Sequence, residues 1–362
     1  MRGWKRSVVA VGRAVEERFD RLRFGLKRLT GRLGPIEVLP YRGHGTRYEL
    51  FLKGRALETT GLKPSNTGDS RRRNLRNMAR RFFSSEVPHA RIRAVYGEHE
   101  LEATADEEGF FDLRFELAEP LRGGTDWHPV EIEVTWPRSG EGARATGSVL
   151  VPAGARFGVV SDLDDTVVHS SATDLLRMAR ITLLSNARTR LPFEGVAAFY
   201  RALQSGPSGE EFNPIFYVSN GPWNLYDMVE ELLDAHGIPA GPLFLRDWSP
   251  TRLREHGEHK FGVIRTLLET YPDLPFVLIG DSGERDPEIY HQIVHEHPER
   301  ILAIYIRDVT TRERDAEVHK ISEELRDLGV EMLLVSGTAE AARHAVGKGL
   351  ISPDSRKLAE FG

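Results

Sequence analysis

The sequence predicts an α/β protein, in which a parallel sheet covered by helices and a small cap follows an all-β sandwich and an N-terminal amphipathic helix. Three observations predict it. From Phe157 onward, short apolar runs alternate with helix-like stretches, the rhythm of βαβ units. Between residues 35 and 152, apolar and polar residues alternate in short runs separated by turn residues, as in half-buried antiparallel strands. Residues 1–33 repeat apolar side chains at threes and fours, which makes one continuous helical face.

Composition sets the outer bounds. A chain of 362 residues has room for two domains, and 40% hydrophobic with 28% charged residues places it among ordinary globular proteins. A net charge of -5 gives no global case for nucleic acid, so none is expected as a partner. The absence of Cys excludes disulfides, thiol catalysis and Cys-ligated zinc. No apolar run approaches the ~20 residues of a spanning helix. A cytoplasmic protein is expected, with contact to a membrane surface as its one membrane option.

Residues 1–34 form the first segment. Its ten Lys and Arg against three acids (Glu16, Glu17, Asp20) leave +7 in a negative protein. Trp4, Val8, Val11, Val15, Phe19, Leu22, Leu26 and Leu29 make the apolar face. No compact apolar core follows the basic start, which argues against a signal peptide. Such a helix can lie in an anionic membrane interface, or pack on its own domain or a partner.

Residues 35–152 form the expected sandwich. Alternating runs stand at 47–57, 90–96, 110–117, 130–136 and 147–151. The stretch Thr104–Phe111 resembles the Asp-x-x-Gly-Tyr/Phe turn of immunoglobulin-like and transthyretin-like modules. A basic run, Ser70–Phe83, interrupts the strands; it reads as a phosphate-headgroup contact or as a solvated helix or loop.

Residues 153–350 form the expected α/β domain, and 351–362 a tail. Strands are expected at 157–161, 214–219, 242–246, 276–280, 301–306 and 331–335. Helices are expected near 194–204, 223–236, 259–270, 286–297, 311–327 and 338–347. The first strand ends in Ser161-Asp162-Leu163-Asp164-Asp165-Thr166. In a doubly wound sheet the ligand crevice lies beyond the carboxyl ends of the strands. Like charges gathered there need a cation between them. Hard oxygen ligands without nearby Cys point to Mg²⁺. Segment 168–192 is apolar (Leu175, Leu176, Met178, Ile181, Leu183, Leu184) and reads as the small cap or as a surface helix.

Three further strand or helix ends carry polar residues. Ile215–Val218 ends in Ser219-Asn220-Gly221, Lys260 stands at a helix start, and Phe276–Gly280 ends in Asp281, with Asp286 five residues on. A cation at a helix N-terminus is disfavoured by the helix dipole unless an anion lies nearby. His256 and His259 read as solvated or capping residues. Together, Asp-x-Asp-x-Thr, the strand ending in Ser, the helix-start Lys and Gly-Asp-x-x-x-x-Asp resemble the four motifs of the haloacid dehalogenase-like (HAD) phosphohydrolases, in the right order over about 157–340. The resemblance implies a HAD-like Rossmannoid sheet, Asp162 as nucleophile and Asp164 as general acid/base. It implies Ser219, Asn220 and Lys260 as phosphate-binding residues, with Asp162, Asp164, Asp281 and Asp286 around Mg²⁺. The acid at 164 favours a hydrolytic phosphatase over P-type ATPases and dehalogenases of that superfamily.

A narrower resemblance lies in Asp162-Leu163-Asp164-Asp165-Thr166, Arg190–Val196, Tyr217–Tyr226, Leu245–Trp248 and Ile279–Tyr290. These are similar to the conserved catalytic-domain family of the actin-patch-associated phosphatidate phosphatase and its bacterial relatives. That similarity implies Mg²⁺-dependent conversion of phosphatidate to diacylglycerol through an aspartyl-phosphate. Ser219-Asn220-Gly221 departs from the Ser-rich form expected there. The competing readings are a soluble phosphomonoesterase or phosphoprotein phosphatase, and a non-catalytic membrane adaptor on the same fold.

Overall fold

The computed structural model describes residues 34–58, 85–121, 126–137, 143–163, 195–246, 258–310 and 312–354. The expected N-terminal helix, the basic run 70–83, the cap segment 168–192, Asp164 and the tail beyond 354 lie outside the described residues. The chain divides into two compact units, one holding the first nine strands and one the rest.

The first unit contains β1 (Ile36–Pro40), β2 (Gly43–Gly45), β3 (Glu49–Glu58), β4 (Ser85–Glu86), β5 (Arg91–Tyr96), β6 (His99–Thr104), β7 (Phe110–Glu116), β8 (Trp127–Trp136) and β9 (Arg144–Leu150). Strands β3, β5, β7, β8 and β9 correspond to the five alternating runs. Side chains alternate between buried and exposed along β7 and β8, as a sheet with one core face requires. The strands join in one sheet of order β1-β3-β2-β9-β8-β5-β6, with β4 and β7 also paired to β3. Pairing is antiparallel between β1 and β3, β3 and β7, β5 and β6, and β5 and β8. Strand β6 has no fully buried side chain: Leu101 and Ala103 are half-buried between exposed Glu100, Glu102 and Thr104. Only its pairing to β5 defines it.

The second unit is built around six parallel strands: β10 (Gly158–Asp162), β11 (Ile215–Pro222), β12 (Leu243–Arg246), β13 (Phe276–Asp281), β14 (Ile301–Arg307) and β15 (Met332–Val335). Among the described residues six α-helices accompany them: α1 (Val196–Ser205), α2 (Tyr226–Ala235), α3 (Glu258–Thr270), α4 (Asp286–Glu296), α5 (Arg312–Asp327) and α6 (Thr338–Gly347). The sheet order is β12-β11-β10-β13-β14-β15, parallel throughout. The first strand is therefore central. The chain steps outward through β11 and β12, then returns to the other side of β10 at β13. That reversal makes the β10/β13 junction a topological switch point, where such sheets bind ligands. Strands β10, β11 and β13 are buried almost along their length, which explains their unbroken apolar runs. Val160, Phe216, Leu278 and Ile304 from the sheet, with Leu267, Tyr290, Ile293 and Leu325 from the helices, share one core.

Candidate active site

Four chain segments meet at the carboxyl edge of the parallel sheet. Strand β10 delivers Asp162 and β13 delivers Asp281, each as its last residue. Asp286 opens α4, and Lys260 lies in the first turn of α3. Lys260 Nζ stands 2.8 Å from Asp162 Oδ1 and 3.3 Å from Glu284 Oε2, and it donates to Asp286 Oδ1. The side chains of Asp162, Asp286 and Lys260 are at most 3% exposed.

The loop after β13 is wound on its own carboxylates. Asp281 Oδ1 accepts the backbone N–H groups of Gly283 (2.7 Å) and Glu284 (3.0 Å). Asp286 Oδ2 accepts the Asp281 N–H at 3.1 Å. Gly280 allows this return, because a Cβ there would overlap the Asp286 carboxylate. The Tyr290 hydroxyl donates to the Ile279 carbonyl at 2.9 Å and so ties α4 to β13.

The charge balance is uneven. Burial raises the Asp286 carboxyl well above the usual carboxylate range, and repulsion from Asp162 adds to it. Burial, then Asp162, also raises Asp281, although two backbone N–H groups pull the other way. Burial alone would lower the Lys260 ammonium, but Asp162, Asp286 and Glu284 outweigh it and hold it well above its ordinary value. One lysine thus faces more buried negative charge than it can offset.

The residues fit a hard divalent cation. Asp162, Asp281 and Asp286 each offer a carboxylate oxygen, and the three oxygens lie within 4.8 Å of one another. Asp162 Oδ1 is buried and makes no hydrogen bond of good geometry, although it lies within ion-pair range of Lys260. An all-oxygen set of this kind suits Mg²⁺.

Ser219 and Asn220 lie near the end of β11, which continues through Pro222 instead of ending at the hydroxyl. The buried Ser219 Oγ accepts the Gly221 N–H at 2.9 Å. It caps its own turn. Asn220 Nδ2 lies 3.4 Å from Glu284 Oε2. The structure thus links Lys260 directly to Asp162, Asp286 and Glu284, and Glu284 in turn to Asn220. His259 is half-buried beside Lys260; burial lowers its imidazole, and the Phe244 and Ser219 carbonyls partly oppose that.

Two participants escaped sequence reasoning. Glu284 lies inside the Asp-x-x-x-x-Asp spacer, where nothing in the pattern marks it. Arg314 of α5 is remote in sequence. Its guanidinium donates to the carbonyls of Ser282 (3.1 Å) and Glu284 (3.0 Å) and forks onto Glu288 at 2.6 and 2.9 Å. Only the tertiary fold brings it to this loop.

Residues 157–308 match the sequence model of the family described as phosphatidate phosphatase APP1, catalytic domain. Over this segment the chain is similar to the APP1 catalytic-domain family. The phosphatidate phosphatase APP1 of Saccharomyces cerevisiae is 30% identical over 208 residues, covering 55% of this chain and 34% of that protein. An uncharacterised protein of Schizosaccharomyces pombe is 31% identical over 156 residues, 42% of this chain and 25% of that one. The chain thus matches about a third or less of the length of these relatives. Among solved structures, a carbohydrate acetylesterase from Xanthomonas citri aligns over 88% of this chain and 70% of its own at 10% identity, with a TM-score of 0.31. That score supports no inference. The matched segment contains every carboxylate around Lys260, whereas Arg314 lies beyond its end.

Proposed function

We propose that this chain is a Mg²⁺-dependent phosphomonoester hydrolase that works through an aspartyl-phosphate, with phosphatidate as its substrate and diacylglycerol as its product. The carrying observation is the buried Asp162–Lys260 pair, 2.8 Å apart, at the switch point beside Asp281 and Asp286. Its place in an APP1 catalytic segment supports a phosphatase, and the name of the yeast relative supports the lipid.

Asp162, Asp281 and Asp286 would hold the metal, as the HAD-like resemblance also implies, together with Asp164. When bound, Mg²⁺ supplies positive charge that screens the substrate phosphate from the nucleophile. The Asp162 carboxylate attacks phosphorus in line; its O–P bond forms as the bond to the glycerol oxygen breaks. Asp164 gives its proton to that leaving oxygen, releasing diacylglycerol. Water then attacks the aspartyl-phosphate, Asp164 takes its proton, and inorganic phosphate leaves with Asp162 restored. Lys260 neutralises the phosphoryl oxygens during both transfers, while Ser219 and Asn220 orient them. The basic segment 1–33 would bring the site to an anionic lipid surface.

Phosphate release tests this, measured with Mg²⁺ on phosphatidate, lysophosphatidate, nucleotides, sugar phosphates and phosphopeptides. Phosphatidate in mixed micelles is expected to react fastest, and Asp162→Asn to retain at most about a thousandth of that rate. Preference for a soluble phosphomonoester would overturn the lipid assignment. Turnover that survives Asp162→Asn would overturn the mechanism.

A further inference from the structure

An ammonium group has three N–H donors and no more. Around Lys260 Nζ stand three carboxylate oxygens, from Asp162, Asp286 and Glu284. Two N–H groups are given to Glu284 and Asp286, and Asp162 stands at ion-pair distance, so a phosphate oxygen must compete with carboxylate for this ammonium. The three partners are not equivalent. Asp162 and Asp286 are sealed in, with side chains 3% and 0% exposed, whereas Glu284 is 26% exposed and makes the longest of the three contacts, at 3.3 Å. The same Glu284 oxygen, Oε2, lies 3.4 Å from Asn220 Nδ2. One anionic oxygen therefore sits on two groups that the phosphatase reading assigns to substrate phosphate. Carboxylate and phosphate oxygens make the same demand of such donors.

We infer that the Glu284 side chain is a displaceable stand-in for the substrate's phosphate. It holds Lys260 and Asn220 until a phosphate ester arrives, swings toward solvent to admit it, and competes with inorganic phosphate afterwards. The residue is suited to this motion. Its backbone N–H is anchored to Asp281 and its carbonyl to Arg314, so the main chain stays fixed while the carboxylate moves. Glu284 is thus an affinity-setting residue for phosphate, distinct from the groups that form or break bonds. The inference rests on the phosphatase reading for the place where phosphate binds.

The test is calorimetric titration of the full chain with inorganic phosphate in the presence of Mg²⁺, alongside phosphate-release kinetics and melting temperatures. Glu284→Gln removes the competing charge and is expected to tighten phosphate about three- to tenfold and to lower KM in parallel. Glu284→Asp keeps the charge but shortens the arm by one methylene, so its carboxylate cannot span both donors. It too is expected to tighten phosphate relative to the unchanged chain. If the Asp variant binds phosphate as the unchanged chain does, the Gln effect is general electrostatics and the stand-in is overturned. Weaker phosphate binding with a lowered melting temperature in either variant would mark a structural ion pair and also overturn it. If the Gln variant does not fold, the Asp variant carries the test. Tighter phosphate in both variants with no ester hydrolysis by any form would sink the phosphatase reading and leave the stand-in intact. Hydrolysis with equal phosphate affinity in all forms would sink the stand-in alone.

Discussion

At the scale of single residues the site is governed by an excess of buried negative charge. Lys260 is the one cation in ion-pair contact with Asp162 and Asp286 among the described residues. Lys260→Met leaves those two carboxylates without their partner. Removing one member of a buried pair costs about 3–5 kcal/mol, so denaturant melts of the metal-free variant should show a loss of that order. Added Mg²⁺ should restore part of it, and turnover should fall by about two orders of magnitude or more. The unaltered protein should itself melt higher as Mg²⁺ is added, since a ligand that binds only the folded state stabilises it. Scanning calorimetry of Asp281→Asn should show that rise reduced or abolished. Asp162 and Asp281 were legible in the sequence because each closes an apolar strand, whereas Ser219, Lys260 and Asp286 were picked out by the resemblance to the four motifs. Glu284 was not, since an exposed-looking Glu in a turn has no periodicity to violate.

At the scale of elements, the loop between β13 and α4 decides whether the carboxylates converge. Arg314 spans it by bonding two of its carbonyls and gripping Glu288 in the helix that follows. The Glu288 hydrogen bonds raise the guanidinium beyond its already high range, so it stays charged throughout. Arg314→Ala should release the loop without touching a metal ligand. The Mg²⁺ concentration for half-maximal activity should rise about tenfold, with a stability loss of about 1–3 kcal/mol. Lysine at this position cannot make the fork and should rescue little. Gly280→Ala belongs to the same loop: the added methyl would displace Asp286, and activity should fall while the sheet itself persists. Most parallel strands and helices fell within two residues of the sequence expectation, because buried strands and amphipathic helices each carry their own period. The strands β1, β2, β4 and β6 were missed, since two to six residues are too short a run for alternation to stand out.

At the scale of the molecule, the two units answer to different conditions. The carboxylate site is proposed to depend on metal, while the β-rich unit carries its own titrating group. His44 of β2 stacks on Phe51 with ring centroids 5.2 Å apart, and burial pushes its imidazole from 6.5 down to about 4. The unfolded chain therefore binds this proton more readily than the folded one between about pH 6.5 and 4. Stability is lost as pH falls through that window and is fully present above it. The contribution is at most about 3 kcal/mol. His44→Phe keeps the stack and should flatten the slope of melting temperature against pH over that range. At this scale the parallel sheet followed from the alternation of strand-like and helix-like stretches, whereas the order of its six strands, with β10 central, came only from the structure. The joining of nine strands into one sheet through the short β2 was not legible, because strand pairing is chosen by contacts far apart in sequence.

The central claim is that Asp162 takes the phosphoryl group while Asp281 shares the divalent ion and Lys260 faces the transferring oxygens. A crystal structure of the full chain with Mg²⁺ and beryllofluoride, which mimics a phosphoryl group on a carboxylate, tests it most directly. The account predicts beryllium bonded to an Asp162 oxygen, Mg²⁺ touching both Asp162 and Asp281, and Lys260 on a fluoride. Beryllofluoride bound to any other side chain, or Mg²⁺ held without Asp162, would contradict it.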